Sequence, residues 1–200
     1  MNEEQTWALE AQRGSDEAFT KLVETYQTPV FNLCYRMLGE PELAEAAAQE
    51  TFLRAYQHLH RYDQKRPFAT WLLSIAAHYC IDKLRRRKFS IFSMDEEDED
   101  GNPFEIADLD SPNPEAEAMK GQTRARVQAM LEDLDPTDRA AIIMRYWYDY
   151  SEIEIAESLR LTVSAVKSRL HRSRKALAGM WQEEETRVRA ERRTYESPAF

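Results

Sequence analysis

Charge in this chain is sorted along its length, and that sorting constrains the fold first. Between Phe89 and Gly121 stand eleven carboxylates against one cation, Lys120, so this stretch alone carries a net charge of −10. The whole chain has a formal charge of −9, which leaves the rest close to neutral. Two stretches of that rest are basic. Arg61 to Lys88 holds eight Lys and Arg against Asp63 and Asp82, and Arg160 to Ala178 holds six and no acid. In the acidic stretch like charges repel, Pro103, Pro112 and Pro114 deny a continuous helix, and few apolar residues remain to pack. It reads as a flexible linker over 90–121. The chain is then two spatially separate modules, over 1–89 and 122–180, with a charged tail over 181–200.

Both modules read as helical. Alanine (24) outnumbers valine and isoleucine together (14), and only five glycines occur, which argues against a β-sandwich or barrel. No run of about 18 apolar residues exists to span a membrane. The segment Met1-Asn2-Glu3-Glu4-Gln5 lacks a secretory pattern, so a cytoplasmic location is expected. Cys34 and Cys80 each sit on an apolar helical pattern, as reduced buried thiols do; no metal, cofactor or disulfide is expected.

In the first module, Asp16 can cap a helix with Phe19, Leu22, Val23 and Tyr26 inward, interrupted or kinked at Pro29 and ending at Gly39. Pro41 opens a second helix with Leu43, Ala47, Phe52, Ala55, Tyr56 and Leu59 inward. Its other face is polar, which simple solvation would explain. A third helix starts at Pro67 and ends in Lys83-Leu84-Arg85-Arg86-Arg87-Lys88. Five cations in six residues exceed what a helix C-terminus requires and suit phosphate neutralisation. Tyr62, Phe68, Trp71, His78 and Tyr79 interleave rings with that charge, as stacking on single-stranded nucleic acid requires. The same rings equally suit a core, Trp71 first among them.

The second module carries the strongest local signal. Ser151 can cap a short acidic helix to Leu159, and Thr162 a basic helix to Leu177, a helix-turn-helix. With Val166, Leu170 and Leu177 inward, Ser164, Ala165, Lys167, Ser168, His171, Arg172 and Lys175 face outward. Small residues at the start allow close approach to base edges, and the cations beyond reach phosphates.

Four stretches together resemble the extracytoplasmic-function group of bacterial RNA polymerase sigma factors, over about residues 15 to 178: 35–39, 48–56, 66–86 (Arg66-Pro67-Phe68-Ala69-Thr70-Trp71-Leu72 above all) and 166–174. The resemblance implies an all-α protein of two small domains, a region 2 helical bundle and a region 4 helix-turn-helix. It implies that Glu45, Gln49, Glu50, Leu53, Arg54 and Gln57 dock on the clamp of core RNA polymerase. Arg61, Tyr62, Lys65, Arg66, Thr70, Trp71, His78, Lys83, Arg85 and Arg86 would read and open the −10 promoter element. Ser164, Ala165, Lys167, Ser168, Arg169, His171, Arg172 and Lys175 would read the −35 element. Implied partners are core polymerase (clamp and upstream-side flap), promoter DNA and an anti-sigma factor. The family turn usually has glycine where Arg160 stands. Two other classes remain. A nucleic-acid enzyme lacks any metal, nucleophile or phosphate-loop motif here. A stand-alone helix-turn-helix regulator leaves the basic-aromatic helix and the linker without a purpose.

Overall fold

The computed structural model describes the backbone of residues 3–93 and 114–195 and the side chains of 3–88 and 121–189; the acidic centre of the expected linker lies outside them. Among the described residues eight α-helices follow in order: α1 (Glu3–Gln12), α2 (Asp16–Leu38), α3 (Pro41–His58), α4 (Phe68–Ser93), α5 (Pro114–Glu132), α6 (Pro136–Trp147), α7 (Glu152–Leu159) and α8 (Val163–Tyr195). A 3₁₀ turn, Leu59–Arg61, leads out of α3, and no strand occurs among the described residues.

Local chemistry sets most helix ends. Ser15, rather than Asp16, is the N-cap of α2, its hydroxyl accepting from the Ala18 amide. Asp16 stands one place inside, among the first-turn acids. Pro29 lies within α2, which continues past it to Leu38. Gly39 ends the helix at φ +81°, a conformation open to glycine. Pro41 opens α3. α1 was not expected, because its short polar sequence shows no clear stripe; Ala8 and Ala11 are its buried residues.

The two modules are not spatially separate. α6 and α7 pack on α4, and α5 and α6 pack on α2, so one apolar core runs from Ala8 to Leu170. Several polar contacts cross the junction. The Tyr148 hydroxyl donates to the Pro29 carbonyl at 2.6 Å, and Gln128 donates to the Arg36 carbonyl at 3.3 Å. The Arg36 guanidinium lies 5.1 Å from the Trp147 ring centre. At the centre sits Arg139, 4% exposed, which donates to the carbonyl of Met37 and, at 2.5 Å, to that of Glu132. Those carbonyls belong to the last turns of α2 and α5, where helix dipoles concentrate negative charge, so a buried cation is held between two such ends. Burial lowers the pKa of Arg139, and the acids Glu132, Asp133 and Asp135 oppose that. The expectation of separate modules failed because this contact depends on residues about a hundred positions apart.

The helical tail is longer than expected. α8 continues past Leu177 and lies along α5. Arg126 sits 4.2 Å from the Trp181 ring centre and pairs with Glu184 at 3.0 Å.

Candidate nucleic-acid interfaces

The helix-turn-helix is built by its caps. Ser151 and Glu154 form a capping box at the start of α7: the Ser151 hydroxyl accepts from the Glu154 amide, and the Glu154 carboxylate accepts from the Ser151 amide and hydroxyl. Those bonds, the hydroxyl's foremost, hold the Glu154 carboxyl below its usual pKa. Arg160 closes α7 at φ +55°, a left-handed backbone that favours glycine. Thr162 then caps α8 by accepting from the Ala165 amide. Val166 and Leu170 anchor α8 in the core.

This leaves Ser164, Lys167, Ser168, His171, Arg172 and Lys175 exposed on one side of α8, with Ala165 half-buried beside them. Lys167 approaches Glu152 at 3.6 Å, an exposed pair of little strength. Arg169 is placed differently. It is half-buried, bonds the Asp138 carboxylate and lies 3.7 Å from Asp135, tying α8 to the start of α6. Periodicity alone left Arg169 out of the outward set, and only the resemblance placed it among the −35 contacts; its Asp138 partner lies 31 positions away, where no local pattern shows it.

In the first module the basic surface divides. Arg61, Lys65, Arg66, Arg85 and Arg86 are exposed, and Lys83 and His78 are half-buried. The His78 Nδ1 lies 2.8 Å from the Ser74 carbonyl. Tyr62 is buried, 5% exposed, its ring packed on Phe68 and Trp71 at 5.4 and 5.3 Å. Burial raises its pKa. Thr70 is buried against Tyr150 of the second module. Trp71 is half-buried. Two of the cations already have partners across the junction: Arg66 lies 3.6 Å from Glu157, and Arg85 donates to the Thr137 hydroxyl at 3.1 Å.

The outer face of α3 forms a third surface. Gln49 donates to Glu45 at 3.4 Å, and Arg54 pairs with Glu50 at 2.7 Å while its guanidinium lies 4.8 Å from the Tyr79 ring centre. Leu53 is 52% exposed, and Gln57 is exposed beside it. Tyr56, expected inward, is half exposed and donates to Asp16 at 2.9 Å. An apolar pair ringed by mutually neutralised charges suits a protein partner better than a polyanion. Cys34 and Cys80 are both buried free thiols; hydrogen bonding to Cys34, then burial, pushes the Cys80 pKa up. They take no part in any of these surfaces.

Two family models match the chain: sigma-70 region 2 over residues 22–90, and sigma-70 region 4 over 124–177. The chain is 34% identical over 171 residues to the ECF RNA polymerase sigma factor SigW of Bacillus subtilis, covering 84% of this chain and 91% of that protein. It is 30% identical over 181 residues to the RNA polymerase sigma-H factor of Pseudomonas aeruginosa, covering 88% and 93%. Among solved structures it resembles CnrH in complex with the cytosolic domain of CnrY, with a TM-score of 0.65 and 25% identity over 91% of this chain and 99% of that one.

Proposed function

The chain belongs to the extracytoplasmic-function sigma factors of the sigma-70 family, and from that premise we propose how its surfaces divide the work of promoter-directed transcription initiation. α3 docks on core RNA polymerase through Leu53 and Tyr56, with Glu45, Gln49, Glu50, Arg54 and Gln57 setting the register around them. The loop between α3 and α4, with Arg61, Lys65 and Arg66, meets the −10 element, and Arg85 and Arg86 extend that basic surface along α4. The outward face of α8 enters the major groove at the −35 element. Its small residues, Ser164 and Ala165, come first, and Lys167, Arg172 and Lys175 hold phosphates.

Arg169, Tyr62 and Thr70 act one step back in this reading, holding the helices and the loop that carry the contacts. No chemical step is assigned to the protein; it positions DNA on an enzyme that supplies the catalysis. That role places it in the cytoplasm. No described helix is long and apolar enough to cross a membrane. In another solved structure of the same fold, the sigma factor RpoE of Bartonella quintana is in complex with the anti-sigma factor NepR. A partner of that kind is proposed for this chain, restraining the two modules.

The observation that carries the reading is the exposed, acid-free outer side of the first half of α8 beside a capped helix-turn-helix. Run-off transcription with purified core polymerase on a promoter library tests it. The chain should direct initiation from a promoter subset, and Gln49→Ala with Arg54→Glu should reduce co-purification with core enzyme. A chain that binds a palindromic duplex tightly by itself and never joins polymerase would be a stand-alone regulator instead.

A further inference from the structure

Beyond the 3₁₀ turn Leu59–Arg61, the loop to Pro67 has no helix or sheet ladder to hold it, yet the carbonyls of Leu59, Tyr62, Asp63 and Arg66 all accept hydrogen bonds. The Asp63 carboxylate accepts from the Lys65 amide at 3.0 Å, and the Asp63 carbonyl accepts from the Arg66 amide at 3.0 Å. The buried Tyr62 donates its hydroxyl to the Arg66 carbonyl at 2.5 Å. Besides the Arg66–Glu157 pair and the packing of the Tyr62 ring on α4, a further hold comes from the last residue of α1. Gln12 Nε2 donates to the Leu59 carbonyl at 2.8 Å and to the Tyr62 carbonyl at 2.9 Å. Gln12 Oε1 accepts from Gln64 Nε2 at 3.1 Å. One side chain thus fills its amide's two donor positions and an acceptor site against three loop residues. Gln5 and Leu9 of α1, with Tyr62 and Gln64, line a small cavity of about 90 Å³ on the same seam.

We propose that Gln12 is a positioning residue for promoter reading, and that α1, which precedes the matched sigma region, is a working part of the −10 surface. The inference rests on the reading that this loop meets the −10 element. Arg61 and Lys65 are long, and their phosphate contacts tolerate a shifted backbone. Base discrimination does not, because it depends on fixed geometry at base edges. Loosening the loop therefore costs discrimination more than general affinity.

The test is Gln12→Met in the full chain, which keeps side-chain length and the packing of α1 but removes all three bonds. Transcription is measured on a cognate promoter and on one with an altered −10 element, with the salt dependence of binding as a second readout. The ratio between the two promoters should fall by about tenfold, with an unchanged salt slope and normal co-purification with polymerase. Gln64→Ala, on the exposed side, removes one of the three bonds and should give a smaller loss in the same direction. It decides the question if Gln12→Met does not fold. Wild-type discrimination in the folded variant overturns the proposal. Arg61→Ala with Lys65→Ala separates the two levels. If that pair weakens −10-dependent transcription while the Gln12 and Gln64 variants change nothing, only the role of Gln12 fails. If the pair changes nothing either, the assignment of the loop fails with it.

Discussion

Arg160 is held at φ +55°, ψ +45°, where an L side chain crowds its own backbone. Its amide donates to the Ala156 carbonyl, so the turn of the helix-turn-helix depends on this conformation. Arg160→Gly should stabilise the protein by about 0.5–1 kcal/mol, read as a higher urea midpoint at unchanged slope. Single residues with local consequences were the most legible in the sequence. Ser151, Thr162, Gly39 and Pro41 act through neighbours one to four positions away, and each occupies the place expected of it. Ser15 displaced Asp16 by one residue, because either side chain suits a cap and only the geometry selects one. Arg139 was not legible at all. In sequence it is one more cation on α6, and its meaning depends on the carbonyls of Met37 and Glu132.

At the scale of elements, the outer side of α8 makes a graded prediction. Lys167→Ala and Arg172→Ala each remove one exposed cation from the proposed DNA face without touching Val166 or Leu170. If each contacts one phosphate, binding of the polymerase complex to all promoters should weaken alike. The slope of log affinity against log salt should drop by about one per variant, measured by filter binding across a salt series. Arg169→Ala should act differently. It frees Asp138 and Asp135 and loosens α8 from α6, so the melting temperature falls along with promoter affinity. The inward stripes of α2 and α8 were readable because each buries a regular apolar row. α1 and the second half of α8 were not. Their contacts run through alanines, through Gln12, and through the Arg126 cation between Trp181 and Glu184, none of which makes a periodic apolar signal.

For the whole molecule, the sorted charge correctly divided the chain into two helical modules but did not say that they touch. Surfaces that meet across a long connection leave no local trace. Here the meeting faces are ordinary amphipathic stripes, completed by Tyr148, Trp147 and Arg139. The packed arrangement engages Arg66 and Arg85 with Glu157 and Thr137, so part of the proposed −10 surface is occupied from within. Arg139→Ala leaves the Met37 carbonyl without its donor at a buried site and should cost about 2–4 kcal/mol of stability, measured by urea unfolding. The same variant should widen the molecule's radius of gyration in small-angle scattering; an unchanged radius would mean that apolar contact alone holds the halves together.

Because a single apolar interior passes from Ala8 to Leu170, heat should melt both halves together. Calorimetry should record one endotherm, its van't Hoff and calorimetric enthalpies equal. A destabilising change buried in either half would then shift the whole peak, so each half lends the other its tolerance to mutation.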